Sequence, residues 1–212
     1  MIFGIETSTS HASLALLDPD SDEIVWQSRF VSERAHNAVI FEPVEEMLKE
    51  YRDRLSGIVV GLGPGSYGGI RVGISVANGI SLVLGIPVRG VSSLESWNVA
   101  AGSWYVLGDA RRKTTFLAEI SGGRMKSEPE LLDDEEAGRR IEILHQSNAT
   151  LVTPDSTVAG RWEAVSLSYP DAEGMFRNHN FPAPESWPAE VTLEPHYLRA
   201  PYITIPKRNA AK

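Results

Sequence analysis

The sequence predicts an α/β chain built as two lobes of the same class, and three observations carry that expectation. The first hundred residues alternate short apolar segments of strand period with longer segments of helix period. From Trp104 the same alternation restarts. At 212 residues, 42% hydrophobic and 23% charged, the chain can bury a sizeable core without staples.

In chain order, Ile2–Glu6, Ala12–Leu17 and Glu23–Phe30 read as a three-strand meander, broken by Thr7–His11 and by the polar turn Asp18–Asp22. Residues Glu33–Leu55 place Val39, Ile40, Val44, Met47, Leu48, Tyr51 and Leu55 at helical spacing, with a kink or break expected at Pro43. Strand Ile58–Leu62 leads through a glycine-rich turn into helix Gly69–Leu84, which Gly85 should cap. Strand Val88–Val91 follows, and Ser92-Ser93-Leu94-Glu95 has the spacing of a capping box opening a helix over Leu94–Ala101. This completes a first lobe over residues 1–102. The second lobe, 103–200, holds strands Trp104–Ala110, Thr114–Ile120 and Arg124–Glu128, helix Asp134–Gln146 and strand Thr150–Thr153; residues 201–212 read as a tail.

Composition narrows the function classes. The chain has no cysteine, which removes disulfides, thiol nucleophiles and thiolate metal sites and fits a cytoplasmic location. Its first residues, MIFGIETSTS, lack the basic and long apolar regions of a signal peptide. The most apolar stretch, Gly68 to Val88, carries Arg71 and Asn78 and makes a poor membrane span, so no membrane association is expected. A formal net charge of −8 argues against a protein that grips a nucleic-acid backbone unaided. The local basic spots are Arg111-Arg112-Lys113, Arg139-Arg140 and Lys207-Arg208.

Gly63-Pro64-Gly65-Ser66-Tyr67-Gly68 satisfies G-x-G-x-x-G between a strand and a helix, the arrangement of a phosphate cradle. Three features weaken a dinucleotide reading. The strand comes late in the chain, no acidic residue follows Val91 to hold a ribose, and Pro64 removes one amide. A P-loop would need lysine and a hydroxyl where Ile70-Arg71 stands, and neither Ser66 nor Ser75 sits in a G-x-S-x-G elbow. The five histidines share no metal-ligand spacing. Neither a catalytic residue nor a metal site emerges. Gly69, Gly73, Ala77 and Ser81, however, recur at every fourth position and form one small-residue stripe, where a second backbone could approach closely.

Taken together, IETSTSHASLALLD at the start, GLGPGSYGGIRVG, PVRGVSSLE, GDARR at 108–112 and PHYLR near the end resemble the TsaB (YeaZ) family over nearly the whole length. Glu6 stands where that family usually has Asp, and Tyr67-Gly68 where it usually has Phe-Thr. The segment between Ala159 and Ala189 matches poorly. The resemblance implies a two-lobed actin/hexokinase-like (ASKHA, ribonuclease H-like) α/β fold with mixed sheets. It also implies a relation to TsaD, the subunit that transfers threonylcarbamoyl to the adenosine next to the anticodon of tRNA. TsaD-like enzymes hold a metal through H-x-x-x-H, whereas the matching segment here has His36 and then Ile40.

The function so implied is that of a non-catalytic subunit binding TsaD. Its expected interface comprises His36, Ile40 and Met47 on one helix and Gly69, Gly73, Ala77 and Ser81 on the next. Through that complex it would meet the ATPase TsaE and, indirectly, tRNA; without TsaD, self-association as a homodimer is expected. A vestigial nucleotide site would comprise Glu6, Thr7, Ser8, Thr9, Gly63, Gly65 and Ser66. No cofactor is expected for the isolated chain, and ATP is admitted only in the assembled complex. The alternative reading is an active nucleotide-dependent enzyme of the same superfamily, an ATPase or a peptidase.

Overall fold

The computed structural model describes residues 1–31, 39–110, 113–188 and 192–198. Strands β1 (Ile2–Glu6), β2 (His11–Asp18) and β3 (Glu23–Val31) form the expected meander. Helix α1 (Phe41–Tyr51) follows, and a 3₁₀ turn at Arg52–Arg54 ends it. Pro43 therefore lies in the first helical turn, where its missing N–H breaks no intrahelical bond, and residues 33–38 of the expected helix fall outside the described residues. β4 (Gly57–Gly61), α2 (Tyr67–Leu84) and β5 (Val88–Val91) complete a sheet of order β3-β2-β1-β4-β5, in which β1, β4 and β5 are parallel.

Period-two alternation explains why β1 and β4 are apolar throughout. Phe3, Ile5, Ile58 and Val60 point to one face, where they pack with Ile40, Val44 and Met47 of α1 and its N-cap and with Ile70, Ile74, Ala77 and Ile80 of α2. Ile2 and Val59 point to the other face, and Gly4 leaves room there for the Phe176 ring. α2 is long and apolar enough to cross a membrane by length and composition, with mean hydropathy 1.3, yet it lies on this sheet with a continuous face in the core.

The second sheet comprises β6 (Ser103–Asp109), β7 (Thr114–Ser121), β8 (Arg124–Met125) and β9 (Glu130–Asp133), then, after α3 (Asp134–Gln146), β10 (Thr150–Thr153) and, after α4 (Ser156–Arg161), β11 (Ser166–Leu167). Its order is β11-β10-β6-β7-β8, and β9 also pairs with β7. The strand expected over Arg124–Glu128 is cut to two residues before Pro129, which cannot donate to a ladder, and pairing resumes at Glu130. Two mixed sheets flanked by helices make the α/β class that the sequence implied, and the first sheet has the ribonuclease H-like order.

Two features differ from expectation. A helix over Leu94–Ala101 does not form; a single 3₁₀ turn at Ser93–Glu95 stands in its place. The Glu95 carboxylate does not return to Ser92 but accepts from the Met125 amide at 2.8 Å and meets His179 and Arg124. The backbone carbonyls that a helix would use are claimed from outside. Asn178 Nδ2 donates to the Glu95 and Trp97 carbonyls, both at 2.8 Å, and the Asp171 amide donates to that of Ser96. The second feature is α5 (Ala172–Asn178), which packs on β1 and β2 although it follows the second sheet in sequence. The expected boundary at residue 102 falls between the two sheets, while α5 lies inside the expected second lobe and covers the first.

Because one amide of Asn178 satisfies two carbonyls, Asn178→Ala should lower stability by about 1–3 kcal/mol in urea unfolding. An unchanged midpoint would show that this clamp does not hold the lobes.

Candidate functional site

The carboxyl ends of β1, β4, β5, β6 and β10 converge on a cleft of about 650 Å³ between the lobes. Its first-lobe wall is made by the β1–β2 turn and the turn before α2, with Ser8, Thr9, Gly65 and Ser66 on the surface of the cleft. Trp97 joins them from the segment after β5, and the opposite wall carries Asp109, Phe116 and Asp155. His196 and Tyr197 close one side, held by the His196 amide donating to the Leu62 carbonyl at 2.7 Å.

Behind the wall the two turns are locked together. The Ser66 amide donates to the Ser8 carbonyl at 2.6 Å, and the Thr7 hydroxyl donates to the Gly69 carbonyl at 2.9 Å. Ser66 is the N-cap of α2, its hydroxyl accepting from the Gly69 amide at 3.3 Å. The Gly63 amide donates to Ser93 Oγ at 3.0 Å, and Gly63 itself has φ of +91°, a backbone conformation only glycine adopts freely. The amides at Gly63, Ser66 and Gly69 are thus used internally, and Pro64 has none. A turn whose donors are already engaged has few left to wrap a phosphate.

Glu6 lies deepest. Its Oε1 accepts from the Ser8 amide at 2.8 Å, its Oε2 has no hydrogen-bond partner, and Gly61 leaves the space that this oxygen fills. Burial pushes the carboxyl above the usual glutamate range, and the Ser8 contacts oppose this only in part. Of the seven residues expected at a nucleotide site, Ser8, Thr9, Gly65 and Ser66 reach the cleft. Glu6, Thr7 and Gly63 are sealed behind it. Among the described residues no group of three His, Asp or Glu side chains could hold a metal ion.

The residues expected at a partner interface need correction. Ile40 and Met47 are fully buried in the first lobe's own core. Gly69, Gly73 and Ala77 face the protein's own sheet, and a Cβ at Gly73 would strike Thr7 Oγ1. Ser81, half-buried, donates to the Ile86 carbonyl at 2.6 Å, and His36 falls outside the described residues. The small-residue stripe does admit a close approach, but by side chains of the same chain, those of Thr7, Ile5 and Val60 at Gly73.

Sequence reasoning gave no role to the 192–198 strip or to α4 and α5. Asp155 and Asp171, which cap α4 and α5, are the signals that could have disclosed those helices.

Gly73→Ala should cost about 1–3 kcal/mol through overpacking against Thr7, measured by chemical unfolding. For Glu6 the folded state holds its proton more tightly than the unfolded chain. The stability it contributes is therefore full below the ordinary glutamate range and falls as pH rises through the raised folded value. Glu6→Gln keeps an acceptor for the Ser8 amide and carries no charge, so its loss of stability with rising pH should be shallower than the wild type's. Parallel curves would refute this.

Comparison with known proteins agrees with this architecture. The family model described as TsaD, tRNA N6-adenosine threonylcarbamoyltransferase, matches residues 30–141. An Escherichia coli protein named tRNA threonylcarbamoyladenosine biosynthesis protein TsaB is 29% identical over 174 residues, covering 77% of this chain and 72% of the relative. A Bacillus subtilis protein of the same name is 34% identical over 98 residues, covering 45% and 42%, so the match spans under half of that relative. A solved structure from Pseudomonas aeruginosa, described as an uncharacterized protein with similarity to peptidase YeaZ, superposes with a TM-score of 0.66 at 22% identity over 93% of this chain and 99% of the other. With the family model covering more than half of its 212 residues, the chain belongs to the TsaD-type family and, within it, to the TsaB (YeaZ) family.

Proposed function

We propose that the chain is a non-catalytic subunit of tRNA threonylcarbamoyladenosine biosynthesis in the cytoplasm, pairing with TsaD through the outer face of α2. The family membership supplies the pathway. One observation carries the mode of action: α2 packs on the sheet through one face, and among the described residues its opposite face is exposed. Its outer stripe runs through Gly68, Arg71, Ser75, Asn78, Gly79 and Leu82, all exposed. At the far end Leu82 is 86% and Val83 77% exposed.

A Cβ added at Gly68 or Gly79 would meet nothing within 4 Å, so this face is flat and open to a second helix. Exposed leucine and valine beside such a surface favour burial against a partner. The stripe first expected to make that contact lies one step round the same helix and is occupied by the sheet. TsaD, and through it the ATPase TsaE and tRNA, would be met on the outer side. In the absence of TsaD, two copies would cover the same face as a homodimer. The engaged amides of the glycine turn support a role without nucleotide hydrolysis by the isolated chain, ATP being handled in the assembled complex.

Full-length chain and TsaD from the same organism should co-elute, and Leu82→Asp should weaken pairing at least about tenfold, the cost of one charge at a buried contact. Its melting temperature should stay near the wild type's, because Leu82 touches little of its own chain. Gly79→Glu should act the same way. Pairing unaffected by both variants would remove α2 from the interface, and normal modified-adenosine levels after depletion would remove the pathway.

A further inference from the structure

We infer that residues 192–198 form a releasable strap, seated on the glycine turn and anchored by one leucine in each lobe, that governs how far the inter-lobe cleft stands open. The inference is independent of the pairing proposed above, because it concerns how the two lobes are tied and is tested on the chain alone.

The strap crosses from one core to the other within six residues. Leu193 is buried in the first-lobe core, in the cluster that holds Ile58, Val60 and Ile70. Leu198 packs against the cluster that Trp104, Val106 and Phe116 of the second sheet form with Leu94 and Trp97, and it lines the cleft. Between these anchors the His196 amide donates to the Leu62 carbonyl at 2.7 Å, and Tyr197 stacks on Tyr67 with ring centroids 5.6 Å apart. The seat is the turn itself. A Cβ at Gly63 would stand 3.0 Å from the His196 carbonyl oxygen, so the first glycine of the turn lets the backbone of the strap lie close. The motif with the spacing of an anion cradle thus receives a segment of its own chain.

The hold is slight by comparison with the sheets it joins. Residues 192–198 have no regular secondary structure, and among the described residues that one hydrogen bond is their whole backbone pairing. Thr192, Glu194, His196 and Tyr197 are exposed, and Leu193 is the one fully buried side chain of the seven. A segment with few buried apolar contacts and exposed backbone opens at a fraction of the cost of global unfolding. The strap therefore opens while both sheets stay folded. Other ties keep the lobes joined when it does: Glu95 on the Met125 amide, Asn178 on the carbonyls of residues 95 and 97, and the His11–Tyr169 stack, with centroids 3.6 Å apart. The end of the cleft that the strap closes is then the end that widens.

The chain has no cysteine, so two introduced ones carry spin labels without background. Glu45→Cys on α1 and Glu142→Cys on α3, both at exposed positions, place one label on each lobe. Double electron–electron resonance on the full chain should give one narrow distance distribution. Adding His196→Pro, which removes the amide donor, or Leu198→Asp, which sets a charge against the second-lobe core, should shift its mean and broaden it. Leu167→Asp, at a 46% exposed position on β11 outside the strap, should leave it unchanged. Far-ultraviolet dichroism of every variant should match the wild type. A second measurement needs no substitution: the His196 amide of the unaltered chain should exchange with deuterium at least about tenfold faster than the paired amides of β1 and β4, as local opening below the global cost requires. A distribution unmoved by both strap variants, an equal shift with Leu167→Asp, or a His196 amide that exchanges only as slowly as the sheet would overturn the inference.

Discussion

The contact on which the rest of this structure depends is the close approach of two turns, the Ser66 amide meeting the Ser8 carbonyl at 2.6 Å. It requires missing side chains on the β4–α2 side. A Cβ at Gly65 would strike the Ser8 carbonyl, one at Gly61 the Glu6 carboxyl, and one at Gly73 the Thr7 hydroxyl. Three glycines on β4, on its turn and on α2 therefore let the β1–β2 turn sink against the helix start. That descent seals Glu6 in a dry environment and fixes where α2 begins. It also engages the Gly63, Ser66 and Gly69 amides internally, so a motif with the spacing of an anion cradle becomes in part an internal joint.

A second joint sets the cleft. The chain leaves the second sheet after β11 and returns to the first, where the Ala172 amide donates to Ser13 Oγ at 2.8 Å and Phe176 fills the space above Gly4. From there Asn178 and the Asp171 amide take the carbonyls of residues 95 to 97, and Glu95 reaches across to the Met125 amide of the second sheet. The segment after β5 is pinned from both lobes. Trp97 is thereby held in the wall of the cleft rather than on a free helix.

Much of this was legible in the sequence, for reasons that also explain what was not. Strand β1, helix α3 and strand β10 have their expected bounds because alternation, an N-capping Asp133 and flanking turns all point the same way. The helix after Ser92 failed because a capping box is a local signal, and Glu95 had a stronger partner thirty residues away. The stripe Gly69-Gly73-Ala77-Ser81 was read with the right period and the wrong neighbour. Periodicity says that something packs closely there; it cannot say whether that neighbour belongs to the same chain. The Tyr67–Tyr197 stack joins residues 130 positions apart, and no spacing rule links them.

The two faces of α2 follow from that distinction. A helix that must lie within reach of a hydroxyl and a strand needs glycine and alanine on its inner side, and those residues cannot also serve an outside partner. Whatever docks on α2 has only the outer stripe, where Gly68, Ser75 and Gly79 keep the surface flat and Leu82 supplies apolar area. Arg71 belongs to that stripe and also lies over the Tyr67 ring that backs Tyr197. The outer face of the helix and the wall of the cleft are thus joined through a single guanidinium, at the end of α2 that the engaged glycine turn holds fixed.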